Sequence, residues 1–498
     1  MIRFSPNPNR SRLIPWREWS AEAFRAALEQ DKPVMLFLSA FWCRYCQRMD
    51  EEAFSETENI ALLNAYFISL RVENGQRPDI DSRYNYNGWP TIAFMSPDGH
   101  LLGAVNYLSA DQFKEALIDI YMSYQQRKGE IHSAAKIDEV PSKSLPPQMG
   151  EQRFAASLSE ITKTIMALAD PINGGYGDGQ KFIHAEANEF LLAAYEMTHD
   201  TALLDHVCLT LERMRRGEIY DHEADGFFRT SSGADWSHPH REKLLNEQAG
   251  LLANCLHAFA LTQRADFART AEEIIGYLNR KLWDPVTGAF FGCEDFLRRD
   301  TSSQTSSGEL FSIIDNCIYS DANALTIEAY LTAATILGEA GYKEQALIAL
   351  EFVWQNCRYS DGGMCHFFDG SAQVPGLLQD QARFGAALVR AYSASGDGRY
   401  LARARELAQF VLTKLKNPAG GYYDICEQDL VGLRSRLTLI ESNGSAASFF
   451  LQLAEASGEA SYREAGLWAL AGFTGDVSSY GIHAAPFGQA LAEYLRRR

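Results

Sequence analysis

The stretch AFWCRYC, residues 40–46, decides the fold of the first part of the chain. It follows the short apolar run 34–40, which is typical of a strand buried on both faces. A helical stretch comes next, so Cys43 would lie at a helix N-terminus, where the helix dipole and Arg44 favour its thiolate. Cys46 is one turn further along the same helix, and it can therefore close a disulfide as the resolving thiol.

Strands and helices alternate through the first 130 residues, which predicts an α/β fold. The sequence GWPT, residues 88–91, comes about 45 residues after the cysteines and just before an expected strand. A proline at this place can take the cis form and hold backbone beside the thiols. Pro90 therefore joins Cys43 and Cys46 as a candidate catalytic residue.

These residues resemble the thioredoxin fold. Four segments more closely resemble the thioredoxin domain of a poorly characterised two-domain family that includes the spermatogenesis-associated thioredoxin-like protein. The segments are 32–34, 43–49, 64–67 and 77–81. The resemblance is incomplete, because Arg44 and Gln47 stand where that family often carries histidines, and Phe37 stands where thioredoxin has a buried acid. The usual proton acceptor for the resolving thiol is therefore missing. Glu73, at the end of a predicted strand, is a candidate to take its place.

Composition excludes some classes of protein. The 498 residues contain 46 Lys and Arg against 64 Asp and Glu, a formal net charge of −18. This balance argues against a bulk nucleic-acid binder, which needs a basic face. The polar first twelve residues lack a secretory signal pattern, and no apolar run approaches the ~20 residues of a membrane span. The sequence thus predicts a cytoplasmic protein without a membrane partner.

The other seven cysteines are scattered, and we expect them to be buried packing residues. A second C-x-x-C is absent, which argues against a four-cysteine zinc site. An H-E-x-x-H pattern is absent as well. We therefore expect no metal and no cofactor.

From about residue 130 the chain changes character. The stretch 131–150 is rich in Pro, Ser and Lys, which indicates a linker. Residues 151–498 then read as twelve helices. The predicted domains are accordingly 1–130 and 151–498, joined by the linker 131–150.

A glycine-aromatic element recurs between these helices about every 60 residues, a period that fits one helical hairpin with its loops. Its copies begin at Gly174, Gly226, Gly288, Gly362, Gly420 and, more weakly, Ser479. Six hairpins can close into a ring around a central cavity. Two interpretations of the aromatic residues stay open: they pack in the core, or they line the cavity mouth.

The second part resembles the same family, most distinctively over residues 219–249, and Asp380 fits more loosely. This resemblance implies an all-α (α/α)6 toroid similar to six-hairpin glycosidases and to sugar 2-epimerases. Phe228 and Ser237 stand where the family commonly has histidines, and Gln180 and Ile183 stand where it has prolines.

Within that segment, residues 221–247 concentrate ionisable and aromatic side chains. Histidine and carboxylates can transfer protons, as sugar epimerisation or glycoside hydrolysis requires, and a tryptophan can stack on a sugar ring. The alternative is a hydrogen-bonded loop that fastens neighbouring hairpins. The candidate substrate-binding residues are Asp221, His222, Trp236, His240, Glu242 and Asp380 in the barrel, with Trp42 and Trp89 beside the cysteines.

Three hypotheses follow. The leading one is a thiol–disulfide oxidoreductase that acts on a protein thiol or disulfide partner, with a cavity for a sugar-like small molecule in the barrel. The second is a carbohydrate-active enzyme, an epimerase, isomerase or hydrolase, that uses His240 and Glu242. The third is a binding scaffold without catalysis.

Overall fold

The computed structural model describes residues 2–134, 150–298, 310–426, 433, 435–473, 475 and 477–496. The chain divides into two compact units. The first comprises Met1–Ser144, Leu297–Phe311 and Glu427–Arg436, and the second comprises Leu145–Phe296, Ser312–Cys426 and Leu437–Arg498. The domain limits at 130 and 151 stay a prediction, because most of the expected linker, 135–149, lies outside the described residues.

The first unit is built on a four-stranded sheet in the order β2-β1-β3-β4. Strand β1 runs parallel to β2 and antiparallel to β3, which pairs antiparallel with β4. All six residues of β1 are buried, as its apolar run predicts. In chain order the elements are α1 (Ala21–Gln30), β1 (Val34–Ser39), α2 (Arg44–Glu51), α3 (Thr57–Tyr66), β2 (Ile68–Glu73), α4 (Pro78–Tyr84), β3 (Thr91–Met95), β4 (Leu101–Val105) and α5 (Ala110–Ala134).

The apolar spacing of residues 16–30 predicts a helix capped by Ser20, and helix α1 begins directly after that residue. Ser20 caps it, with its side chain accepting the Ala23 N–H. The residues before the cap lie along the sheet, where the Arg17 N–H donates to the Ser69 carbonyl at 2.9 Å. Trp16 packs edge to face on Phe54. The structure thus confirms the predicted N-cap.

Within its described residues, the second unit contains the twelve predicted helices, six outer and six inner. The outer helices are α6 (Glu151–Ala167), α8 (Thr201–Arg216), α10 (Ala265–Lys281), α12 (Ala340–Asn356), α14 (Gly398–Phe410, followed by a π-helical turn, Val411–Leu415) and α16 (Ala460–Ala471). The inner helices are α7 (Ala185–Thr198), α9 (Leu245–Thr262), α11 (Ser320–Ile336), α13 (Leu378–Ser395), α15 (Ile440–Ser457) and α17 (Ala485–Arg496).

The inner helices form a closed ring. Each contacts the next in the order α7, α9, α11, α13, α15, α17, and α17 contacts α7. The last inner helix also packs on the first outer helix, α6, so the two ends of the barrel sequence complete the sixth hairpin. Because each inner helix is reached through an outer one, all six run in the same direction and their N-termini share one end of the ring.

Short strands precede the inner helices at that end. They are β5 (Lys181–Phe182), β6 (Thr230–Ser231), β7 (Pro239–His240), β8 (Lys243–Leu244), β9 (Cys293–Arg298), β10 (Leu310–Asp315), β11 (Ile318–Tyr319), β12 (Cys365–Phe368) and β13 (Ala372–Pro375). They pair as β5-β6-β7 and β11-β12-β13, and β8 pairs with β9. Across the described ranges, no helix combines the length and apolar character that crossing a membrane demands.

The glycine-aromatic elements are turns that a side-chain amide holds. In four hairpins, a residue one or two places after the glycine makes two hydrogen bonds with the side-chain amide of an Asn or Gln on the next inner helix. Its backbone N–H donates to the amide oxygen, and its carbonyl accepts the amide N–H. The pairs are Phe227 with Gln248, Phe290 with Asn323, Met364 with Gln381 and Tyr422 with Asn443. These four turn residues are fully or almost fully buried, so they pack in the core.

Candidate functional site

Cys43 is the N-cap residue of α2. Its Sγ accepts the Cys46 N–H at 3.0 Å, and its carbonyl accepts N–H groups from Cys46 and Gln47. The two cysteines form a disulfide, and both side chains are buried in this state. A sulfur at this position faces the free N–H groups and the positive end of the helix dipole, which stabilise a thiolate.

Two carboxylates support the segment around these cysteines. Glu73 accepts the N–H of Phe41 and that of Gln76, both at 2.9 Å, so it fixes the backbone just before Cys43. Asp50 is fully buried on α2 and forms a bidentate ion pair with Arg71 at 2.7 and 2.8 Å. It lies one turn after Cys46 and anchors the buried face of the helix.

The Pro90 segment has the expected cis peptide bond, Trp89–Pro90. Asn106 donates its amide to the carbonyl of Pro90 at 3.0 Å and to two further carbonyls of the same loop. The rings of Trp42 and Trp89 meet edge to face with centroids 5.2 Å apart. This aromatic pair joins the cysteine segment to the proline segment. Trp89 also donates its indole N–H to Asp81 at 2.8 Å, which fixes the orientation of its ring.

A central cavity of about 870 Å³ lies inside the barrel ring. Its wall consists almost entirely of inner-helix side chains, many of them charged. Glu186 forms an ion pair with Arg383 at 3.1 Å, while more than half of its side chain remains accessible. His257 contacts Glu189 at 2.8 Å and Glu196 at 3.6 Å. Burial acts to lower the pKa of His257, but the two carboxylates outweigh it and raise that pKa well above its usual range.

Two further glutamates on the wall have raised pKa values. Burial, reinforced by the nearby Glu186, raises the pKa of Glu247 to about 8, and Arg229 opposes the shift. Burial also raises the pKa of Glu328 to about 7. A carboxyl that keeps its proton near neutral pH can donate it as a general acid, and a neighbouring carboxylate can accept one.

None of the six predicted barrel residues is on the cavity wall. Asp221 instead belongs to the repeated turn: it accepts the N–H groups of Glu223 and Ala224, as Asp284 does in the next hairpin with Val286 and Thr287. It also forms an ion pair at 2.7 Å with Lys243, whose side chain is fully buried. Burial acts to raise the pKa of Asp221, but Lys243 and the turn N–H groups outweigh it and lower that pKa.

The other candidates of the 221–247 segment have local partners. Trp236 is buried against Gly175 and Gly217, and it donates its indole N–H to the Asn173 carbonyl at 2.8 Å. His222 and His240 are exposed and lie near Gly217 and Ser232 respectively, and Glu242 forms an ion pair with Arg229 at 2.7 Å. For Trp236 this geometry matches the alternative interpretation, a loop that fastens neighbouring hairpins.

Asp380 is fully buried in the first turn of α13. It contacts His366 Nδ1 at 3.0 Å, and burial raises its pKa to about 6 while His366 opposes the shift. With Asp321 these two residues form a group, within the described part of the chain, that could hold a metal ion, since one ligand atom from each lies within 4.8 Å of the others. Asp380 and His366 contact each other directly in this group.

The cavity residues were not predicted from the sequence, although the sequence contains a signal for them. On α7, Glu186, Glu189 and Glu196 recur at helical spacing on a helix that is otherwise rich in alanine and leucine. Arg383 and Arg390 do the same on α13. A polar stripe on a helix with apolar flanks indicates a wetted interior surface when the outer helices cover the remaining faces.

Fold and site together define a chain with a C-x-x-C centre beside a cis proline and a six-hairpin barrel with a charged cavity. The expected family resemblance is confirmed. Residues 8–140 match the family described as Thioredox_DsbH, protein of unknown function, DUF255. The chain is 30% identical over 316 residues to uncharacterized protein B0495.5 of Caenorhabditis elegans, and 27% identical over 305 residues to human spermatogenesis-associated protein 20.

These alignments cover 59% and 57% of this chain but only 42% and 39% of the two relatives. The matched chain therefore accounts for about two fifths of each relative's length. Among solved structures, D-mannose isomerase aligns with a TM-score of 0.55 at 11% identity, covering 71% of this chain and 100% of that one. Cellobiose 2-epimerase from Spirochaeta thermophila aligns with the same TM-score at 15% identity, covering 70% and 97%. At such identities the likeness establishes the (α/α)6 fold of the second unit alone.

Proposed function

We propose that the first unit catalyses thiol–disulfide exchange with a protein partner. The observation that carries the proposal is the position of Cys43 Sγ at the N-cap of α2, where it accepts the Cys46 N–H at 3.0 Å. In the reduced chain the Cys43 thiolate attacks a disulfide sulfur of the partner and forms a mixed disulfide, and the partner's other sulfur leaves as a thiolate. Cys46 then attacks Cys43, which releases the partner as a dithiol and leaves the Cys43–Cys46 disulfide.

Glutathione disulfide tests this order of attack on the full chain. The Cys46→Ser variant should accumulate one glutathione adduct on Cys43, because its resolving thiol is absent, whereas Cys43→Ser should accumulate none at residue 46. Cys208→Ser, which removes a buried cysteine outside the pair, is the control and should behave as the parent. Equal adduct formation by the Cys43→Ser and Cys46→Ser variants, read by mass spectrometry, would refute the proposal.

A second proposal concerns the barrel: its cavity binds a sugar-like polar molecule and acts on it as a carbohydrate-active enzyme. Support comes from the cavity of about 870 Å³ with carboxyl groups on its wall and from a fold shared with an isomerase and an epimerase. Glu247 would serve as the acid, because its pKa is raised to about 8, and Glu186 as the neighbouring base. This assignment replaces His240 and Glu242, which do not line the cavity.

Thermal unfolding with mannose, glucose or cellobiose, followed by an assay for isomerised or hydrolysed sugar, tests the barrel proposal. Glu247→Gln should abolish turnover and leave the fold intact, because the folded chain already favours the protonated carboxyl. Glu344→Gln, on the outer surface of α12, is the matched control. If no sugar shifts the unfolding temperature or is converted, the scaffold hypothesis replaces this one.

A further inference from the structure

Three side chains that can ligate a metal converge at the end of the ring where the inner helices begin. Asp321 lies in the first turn of α11, Asp380 lies in the first turn of α13, and His366 is on β12. One oxygen or nitrogen atom from each lies within 4.8 Å of the other two. None of the three is on the wall of the central cavity, so this group is separate from the glutamates described above.

Hydrogen bonds fix the segments that carry these three residues. Strand β12 pairs with β11, which leads directly into α11, and the Ser320 hydroxyl donates to the Cys365 carbonyl at 2.6 Å. On the other side, the Gln381 amide makes hydrogen bonds to both the N–H and the carbonyl of Met364. Each of the three residues directly follows or precedes a residue that makes one of these bonds. The group is therefore held in place by the fold, as a binding site requires.

The group has more negative charge than its own histidine can balance. The side chains of His366 and Asp380 are 5% and 0% exposed, whereas Asp321 is partly exposed. Among the described residues, neither carboxylate forms an ion pair with a lysine or an arginine. Even a protonated His366 brings one positive charge against two negative ones. A dication beside a neutral imidazole balances both carboxylates, and buried charges in proteins are paired or bound to metals.

The spacing of the ligand atoms fits a small dication. His366 Nδ1 lies 3.0 and 3.2 Å from the two carboxylate oxygens of Asp380. Two ligand atoms that are each about 2.1 Å from a tetrahedral ion lie about 3.4 Å apart. The atom on Asp321 therefore needs to move closer by at most about 1.4 Å, which a partly exposed side chain can do. The ion takes the place of the proton that His366 and Asp380 share.

We propose that Asp321, His366 and Asp380 form a metal site that binds Zn²⁺ in preference to Mg²⁺ and Ca²⁺. One imidazole nitrogen and two carboxylate oxygens suit Zn²⁺, whereas Mg²⁺ and Ca²⁺ favour a shell of oxygens alone. Three protein ligands leave the fourth position of the ion to water. The sequence did not indicate this site, because its residues are distant along the chain and match no metal-binding motif.

Calorimetric titration with Zn²⁺ tests the site on the full chain, with Cys43 and Cys46 oxidised so that they cannot act as ligands. The parent should bind a single ion, and its unfolding temperature should rise. Asp321→Asn should weaken binding at least about tenfold, since even the loss of a group that only supports a ligand costs about that much. Asp111→Asn makes the same change in the first turn of α5, where the side chain is exposed, and should bind as the parent does.

Two further measurements identify the ligands. His366→Gln, which keeps a polar group beside Asp380, should weaken Zn²⁺ binding as Asp321→Asn does. Co²⁺ in place of Zn²⁺ should give a visible spectrum without the intense near-ultraviolet band that thiolate ligands produce.

Several outcomes would overturn the inference. If the parent and Asp321→Asn bind Zn²⁺ equally, or if the thiolate band appears, the ion binds elsewhere. Tighter binding of Mg²⁺ or Ca²⁺ than of Zn²⁺ would show that the choice of ion is wrong, and the absence of binding by all three ions would show that there is no site. None of these results bears on thiol exchange or on the central cavity, because the three residues belong to neither.

Discussion

Glu328 is a cavity residue whose ionisation should make the stability of the chain depend on pH. Its pKa is raised to about 7, and the charged groups that act on it are Arg383 and Arg390 on α13 and Glu493 on α17. In the unfolded chain a glutamate titrates near pH 4.3. Between these two values the unfolded chain loses its proton before the folded chain does. The contribution of Glu328 to stability is therefore fully present below about pH 4 and is lost as the pH rises to about 7.

Replacing Glu328 with Gln removes this loss. The variant should be more stable than the parent at pH 8, by about 1–2 kcal/mol once contact with cavity water is allowed for, and the difference should shrink towards pH 5. Urea unfolding at both pH values measures it. Glu344→Gln should show no pH-dependent difference, and an equal offset at pH 5 and pH 8 for Glu328→Gln would show that the carboxyl titrates normally.

Among single residues, the sequence predicted the local geometry of those that belong to short motifs. Cys43, Cys46 and Pro90 belong to short motifs, and they occupy the positions that the motifs predict. Trp236 and Asp221 looked equally suited to binding, but each has its partner elsewhere in the barrel, in Asn173 and Lys243. A histidine or tryptophan in a polar loop gives no information about which way it faces, since that depends on contacts distant in sequence.

At the scale of the element, the repeated turn explains why the hairpins recur. The Asn or Gln whose side-chain amide holds the turn is the fourth residue of the inner helix in α9, α11, α13 and α15. We call this pair of hydrogen bonds the amide clamp. Asn188 occupies the same place in α7, where it accepts the Tyr176 hydroxyl instead. Each of these four turns contains a glycine with positive φ, namely Gly226, Gly288, Gly362 and Gly421. At Gly226 an added Cβ would lie 2.9 Å from the ring of Tyr277, which is on the outer helix α10. The turn at Gly226 therefore contacts its inner helix through the amide and the outer helix α10 through a close approach.

Gln381→Met tests the clamp in a single hairpin. The substitution keeps the length of the side chain but leaves the N–H and carbonyl of Met364 buried without their partner, which should cost about 2–4 kcal/mol. Gln409→Met, at an exposed position of α14, is the control and should cost less than about 0.5 kcal/mol. Denaturant unfolding monitored by circular dichroism compares the two. Equal stability of the two variants would show that the amide is dispensable.

The elements were predictable to different degrees. The twelve barrel helices in the described part of the chain were predicted, because each runs for twelve or more residues between turn signals. Helix α4, only seven residues long, and the two-residue strands before the inner helices were not predicted. Pieces this short have no periodicity of their own, and they form because neighbouring turns supply their hydrogen bonds.

For the whole molecule, the barrel is a ring whose stability depends on its closure. Each hairpin buries its faces only against its neighbours, so the contact between α17 and α7 joins the last repeat to the first. Gly488 lies at this contact, at the position where the other inner helices carry an amide. A Cβ added there would lie 2.6 Å from the Phe190 ring, which is fully buried. In the sixth hairpin, direct packing of α17 on the Phe190 side chain thus takes the place of the amide clamp.

Gly488→Leu should therefore open the ring at its closure. Forcing a side chain between α17 and Phe190 should destabilise the second unit by about 1–3 kcal/mol. Hydrogen exchange should rise first in α17 and α7, because the contacts between the other inner helices are intact. Gly398→Leu, where no atom lies within 4 Å of an added Cβ, is the control and should leave stability unchanged or slightly higher. Adding Phe190→Ala to Gly488→Leu should recover part of the loss, since it vacates the space that the new side chain needs. If Gly488→Leu instead matches the parent in stability and exchange, then the α17–α7 contact is not what holds the ring closed, and closure must rest on the packing of α17 against α6 and α15.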